Sequence, residues 1–136
     1  MKVLIDYKFE NLNTYINRCR TNYFLANKTK QKETEISKYE FNKIPKVNKY
    51  PIELIFTWHI KNQLSDLDGK LPKNIIDGLV RAEKIEDDNV KYIQKITHIY
   101  QKDKKDFVEV EIKTMEEAYD DNAELKGNKK QSTRNW

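Results

Sequence analysis

The chain contains few of the residues that interrupt, cross-link or anchor a protein. Its 136 residues include three glycines, three prolines and one cysteine, Cys19. The scarcity of glycine and proline predicts long regular elements, and a single cysteine excludes a disulfide within the chain. No stretch approaches the ~20 apolar residues that a membrane-spanning helix needs. The apolar run near Met1 is too short for a secretory signal, so we expect a cytoplasmic protein.

Charge is plentiful, and its distribution along the chain is uneven. Charged residues make up 35% of the chain and apolar residues 38%, which is polar for a globular domain. Between Arg18 and Lys49 there are nine Lys or Arg but only three Glu. Such a basic segment indicates either a polyanionic partner or a solvated, lysine-rich helix face.

Hydrophobic periodicity predicts an α+β domain in which a small mixed β-sheet packs with two main helices. Alternating apolar residues predict strands at 3–9, 52–60, 90–100 and 107–112, while apolar steps of three and four predict helices from Leu12 and from Pro72. The predicted order is strand, helix, strand, helix, strand, strand. Residues 1–113 would form this domain, and the polar residues 114–136 would form a charged tail.

Carboxylates flank the second predicted helix on both sides. Asp66 and Asp68 precede it in the run "SDLDG", and the pair Asp87-Asp88 follows it. Carboxylates two positions apart on an extended segment point to the same side, about 6.5–7 Å apart, and can reach one ion between them. A third carboxylate would complete an oxygen-rich site suited to Mg²⁺ or Mn²⁺. Each acidic run taken alone is more typical of a solvated turn.

The acids also occur in an ordered set with a lysine: "DLDG", then Lys73, then "DGL" at 77–79, then "EDDNV" at 86–90. Together with "LNTYINRCR" near the start, this set resembles the RusA-type Holliday junction resolvases, nucleases common in phages and prophages. The resemblance extends from about Leu12 to Ile112. Members of that family are small homodimers that use Mg²⁺ to cut two opposing strands of a four-way DNA junction.

The resemblance implies a role for each matching residue. Asp66, Asp68 and Asp88 take the positions of the metal-binding acids, and Lys73 takes that of the catalytic lysine. Apart from the resemblance, the basic segment from Arg18 to Lys49 would hold the DNA backbone through Arg18, Arg20, Lys28, Lys30, Lys32 and Lys38. Gly69 stands where the family often has Asn, and one extra residue precedes Lys73. Lys70 is therefore an alternative to Lys73, and Asp87 is an alternative to Asp88.

The length of the second helix creates a geometric difficulty for this site. A helix from Pro72 to Lys84 would be about 20 Å long and would carry Asp88 away from Asp68. Either the connectors fold back toward one site, or the site is completed across a dimer. We expect a metal-dependent endonuclease for Holliday junctions or related branched DNA. The alternative is a non-catalytic DNA-binding protein on the same scaffold.

Overall fold

The computed structural model describes residues 1–62 and 69–115. Within them lie three helices and four strands, β1 (Lys2–Ile5), α1 (Leu12–Thr21), α2 (Tyr23–Phe41), β2 (Ile52–Ile60), α3 (Lys73–Arg81), β3 (Ile93–Lys102) and β4 (Phe107–Thr114). The predicted α+β class and order of elements are confirmed, with the first helical segment divided into two helices.

The four strands form one mixed sheet in the order β1-β4-β2-β3. Strand β4 is antiparallel to both β1 and β2, and β3 is parallel to β2. Strands β1, β2 and β3 therefore run in the same direction. We call the end of the sheet where these three strands finish the upper end, and the end where they begin the lower end.

Alternation along β2 separates a core face from an outer face. Ile52, Leu54, Phe56 and Trp58 are buried, and they belong to one apolar cluster that includes residues of α2 and α3. The intervening side chains, from Glu53 to His59, occupy the other face of the sheet, because successive residues of a strand point to opposite sides.

The helical segment is interrupted at Asn22, between α1 and α2. The apolar spacing of the sequence did not predict this interruption. Asn22 has a non-helical backbone (φ −154°, ψ 86°), and its side chain accepts a hydrogen bond of 3.1 Å from the Leu25 N–H. This is the geometry of a helix N-cap, for which Asn is well suited. The expected single stripe from Leu12 to Tyr23 is therefore interrupted, and no residue of α1 is fully buried.

Helix α3 is shorter than the predicted span from Pro72 to Lys84. Pro72 precedes its first residue, and the helix ends at Arg81 because Glu83 adopts a left-handed backbone conformation (φ 59°). The Lys84 N–H then bonds to the Leu79 carbonyl, as in a Schellman-type ending. The apolar face of α3 packs on the core as predicted.

The predicted domain boundary at residue 113 lies within one residue of the end of β4. Strand β4 continues to Thr114, and the Met115 N–H donates to the Pro51 carbonyl at 3.0 Å. Most of the predicted tail lies outside the described residues. Within the described parts of the chain, no helix combines the length and apolar character that crossing a membrane requires.

Candidate functional site

Of the run "DLDG" (66–69), the structure describes Gly69, which is hydrogen-bonded at the upper end of the sheet. The Gly69 carbonyl accepts a hydrogen bond of 2.7 Å from the Leu12 N–H at the start of α1. Lys70 forms an isolated β-bridge with Asn11. Asp66 and Asp68 themselves lie outside the described residues, so their role as metal ligands stays a prediction.

The two candidate lysines lie in different environments. Lys70 is half-buried, and its Nζ donates to the Phe9 carbonyl at 3.2 Å. Burial lowers the pKa of Lys70, while the nearby carboxylates of Asp106 and Glu33 act in the opposite direction. Lys73 is exposed on the first residue of α3 and forms an ion pair of 3.8 Å with Asp77. The ammonium of Lys73 is therefore the more accessible to a phosphate.

Asp88 lies at the lower end of the sheet, in the turn before β3. The neighbouring Ile52 N–H bonds to the Tyr92 carbonyl where β2 and β3 begin. Asp87 stabilises this turn, because its Oδ1 accepts the Asp88 N–H at 2.7 Å. The exposed Asp88 carboxylate has no protein partner among the described residues. Of the two acids, Asp88 is therefore the better placed to bind an ion.

The two ends of the sheet are separated by the full length of β2. The nine residues of β2 separate them by about 26 Å. Gly69 belongs to the upper end and Asp88 to the lower end. Among residues 1–62 and 69–115, no group of three metal-ligating side chains comes together. The structure thus does not bring Asp88 to the described part of the motif.

With this geometry described, comparison with known proteins adds no further assignment. No family model, no curated protein and no solved structure matches the chain. The candidate function consequently depends on the sequence motif and on the surface that surrounds it.

That surface is basic and belongs to α1 and α2. From Asn11 to Lys32 the sequence contains five Lys or Arg and no Asp or Glu. Lys28 and Lys32 are exposed and lie four residues apart on one face of α2. Lys30 lies about 200° around the helix from Lys28 and is half-buried, as is Lys38. The basic side chains predicted on α2 therefore do not form a single surface.

The two arginines of α1 differ in their availability. Arg18 is held by Glu10, with its Nε 3.3 Å from Oε1, and its Nη1 donates to the Thr29 hydroxyl at 3.0 Å. Arg18 therefore links α1 to α2. Arg20 is exposed in the last turn of α1. Of the two, Arg20 is the freer to contact a phosphate.

A polar cleft of about 370 Å³ lies where β1 leads into α1. Basic, acidic and hydroxyl side chains line it, among them Lys8, Glu10, Arg18 and Lys32. Glu33 lies beside Glu10, since its Oε2 accepts the Glu10 N–H at 2.9 Å. The positively charged side chains of the cleft therefore lie next to the start of α1, to which Gly69 is hydrogen-bonded.

Glu33 joins three segments that are distant in sequence. Besides Glu10, it accepts a hydrogen bond of 2.8 Å from the Asn74 amide on α3. Burial raises the pKa of Glu33, while these two hydrogen bonds act against the increase. Periodicity gave no indication of this role, because Glu33 occurs within a polar run of α2.

On the outer face, His59 lies between two carboxylates. Its Nδ1 is 2.9 Å from Asp103 Oδ2, its Nε2 is 3.0 Å from Glu109 Oε1, and its ring stacks on Phe107 at 4.0 Å. Both ring nitrogens are occupied by protein groups. His59 thus fastens β2 to β4 and to the turn before it, and it is not available as a metal ligand.

Proposed function

We propose that the chain is a metal-dependent endodeoxyribonuclease that cuts four-way junctions or related branched DNA. The observation that carries the proposal is the position of Gly69 and Lys73 at the upper end of the sheet, beside α1 and α2. Gly69 bonds to the start of α1, and Asn74 bonds to Glu33 of α2. Gly69 and Lys73 thus adjoin the basic helices α1 and α2, and basic surfaces of this kind bind DNA phosphates.

The proposed metal site is shared between two chains. Asp66 and Asp68 of one chain would bind the ion together with Asp88 of a second chain, because Gly69 and Asp88 lie at opposite ends of the same sheet. A two-fold homodimer forms two such sites, which matches the symmetry of paired cuts in a four-way junction. The free carboxylate of Asp88 is a hard oxygen donor, as Mg²⁺ or Mn²⁺ prefers.

Each residue has a separate part in the proposed reaction. When bound, the divalent ion supplies an activated water and neutralises charge on the phosphodiester. Lys73 stabilises the negative charge that develops on the phosphate in the transition state. Lys28 and Lys32 bind the DNA backbone away from the scissile bond. A junction-cleavage assay with Mg²⁺ and with EDTA tests the proposal, because a nuclease of this kind cuts only with the ion.

We expect Lys73→Ala to lower the cleavage rate more than Lys70→Ala, with junction affinity little changed in either variant. Lys73 is exposed at the start of a regular helix, whereas the ammonium of Lys70 is hydrogen-bonded to Phe9. Loss of one positioned charge is expected to cost roughly 10²-fold in rate. Single-turnover rates at saturating Mg²⁺ decide between them. Normal cleavage by Lys73→Ala and none by Lys70→Ala would assign the role to Lys70.

We expect the affinity for DNA to fall steeply with salt and the double variant Lys28→Gln/Lys32→Gln to reduce that dependence. Two lost phosphate contacts should reduce the slope of log affinity against log salt by about 1.8. The matched control is Lys102→Gln/Lys104→Gln, which neutralises two exposed lysines at the end of the edge strand β3 and in the turn after it. An equal change in both double variants would show that α2 is not the DNA-binding surface.

A non-catalytic DNA-binding protein is the alternative, since the same basic surface would serve it. The two functions differ in their dependence on the acids. For the nuclease, Asp68→Asn should abolish cleavage while junction binding survives. Junction binding with no cleavage by the unmodified chain in Mg²⁺ or Mn²⁺ would support the alternative.

A further inference from the structure

Two aromatic rings are exposed at the corner where α1 meets α2. Tyr23 and Phe24 are 72% and 87% exposed, and Leu25 beside them is 44% exposed. Both aromatic residues follow the N-cap Asn22, so a regular helix end fixes their backbone. Aromatic side chains that are this exposed leave a large apolar area in contact with water, and they do not contribute to the core. We call Tyr23 and Phe24 the aromatic corner.

The surroundings of the aromatic corner are polar and basic. A groove of about 470 Å³ runs alongside it, lined by Asn22, Phe24, Leu25, Asn27, Lys28 and Gln31. The side-chain amides can hydrogen-bond to the edges of nucleobases. Arg20 and Lys28 add positive charge on either side of the aromatic corner in sequence, within the acid-free segment.

We propose that the aromatic corner binds an unpaired nucleobase of DNA by stacking, with Lys28 contacting the adjacent phosphate. The inference rests on the proposed function, and it adds a contact to bases that basic residues alone do not supply. Aromatic rings beside a basic surface are the combination by which proteins bind single-stranded nucleic acid, since every base has a π-face. A four-way junction keeps its base pairs, so the unpaired base would come from local opening at the branch point or from a single-stranded flap of a related branched DNA.

The charge pattern favours DNA over a second copy of the chain. A two-fold contact through the aromatic corner would bring the same basic, acid-free segment of both copies together, and like charges would repel. A lipid surface would leave the amides Asn22, Asn27 and Gln31 without specific partners. The amide-lined groove beside Phe24 therefore fits a base better than it fits acyl chains.

The test compares two oligonucleotides of equal length, one with bases and one abasic, in binding to the full chain without divalent ions. The unmodified protein should bind the base-bearing oligonucleotide about tenfold more tightly, and Phe24→Ala should bind both equally. The matched control is Tyr39→Ala, which removes another aromatic residue of α2 that is 65% exposed. This control variant should keep the tenfold preference.

Three results would overturn the inference. In the first, Phe24→Ala keeps the preference for bases. In the second, Phe24→Ala converts a dimer to a monomer in sedimentation. In the third, the unmodified chain shows no preference for bases but binds anionic phosphatidylserine vesicles, and Phe24→Ala abolishes that binding. Junction cleavage by the unmodified chain with Mg²⁺ is measured separately. Cleavage without a preference for bases would refute only the proposal that the aromatic corner stacks on a base. A preference for bases without cleavage would refute only the proposal that the chain is a nuclease.

Discussion

A mixture of Asp68→Asn and Asp88→Asn chains is expected to cut junction DNA, although neither variant cuts alone. If each metal site combines Asp68 of one chain with Asp88 of the other, a mixed dimer contains one site in which both acids are intact. Random exchange of subunits should then restore about a quarter of the unmodified nicking activity. Nicking of a labelled junction, measured after the variants are mixed and equilibrated, provides the measurement.

The matched control is a mixture of Asp66→Asn and Asp68→Asn chains. Both acids belong to the same run, so every site in every dimer lacks one of them, and no recovery is expected. Failure of the first mixture to recover activity, with dimers and subunit exchange verified, would place all three acids in one chain. Such a result would contradict the shared site while leaving the nuclease proposal intact.

Gly78→Ala is expected to destabilise the fold by about 2 kcal/mol or more. A Cβ at Gly78 would lie 2.5 Å from Ser37 Cβ and 2.8 Å from the Lys38 backbone nitrogen. The backbone cannot move away without separating α2 from α3, which pack closely along this line. Intrinsic helix propensity alone predicts the opposite sign, a gain of about 1 kcal/mol from replacing glycine with alanine. Whether Gly78→Ala lowers or raises the free energy of unfolding therefore shows whether α2 and α3 pack closely at this position.

Urea unfolding measures this change, with Arg81→Ala as the matched control. Arg81 is exposed in the same helix, so its replacement should stay within about 0.5 kcal/mol of the unmodified protein. The double variant Gly78→Ala/Ser37→Gly should recover only part of the loss, because contacts with the α2 backbone at Thr34 and Lys38 persist. A stabilised Gly78→Ala variant would show that α2 and α3 do not meet at this glycine.

The sequence by itself determined the class of fold and most of its elements. Strand β2 alternates between a buried and an outer face as its pattern predicts, and α3 buries the stripe that its spacing indicates. These features are local, since a period of two or of 3.6 residues is set by backbone geometry within one segment. The motif from Asp66 to Asp88 was likewise visible in the sequence, because it depends on residue order alone.

Only the tertiary structure decided which distant residues meet. It placed Gly69 at the upper end and Asp88 at the lower end of one sheet, and it paired Glu33 with Asn74 across 41 positions. Sequence periodicity carries no information about such pairs, because they depend on strand order and on how helices pack. The close approach at Gly78 is of the same kind, since it depends on how α2 packs against α3.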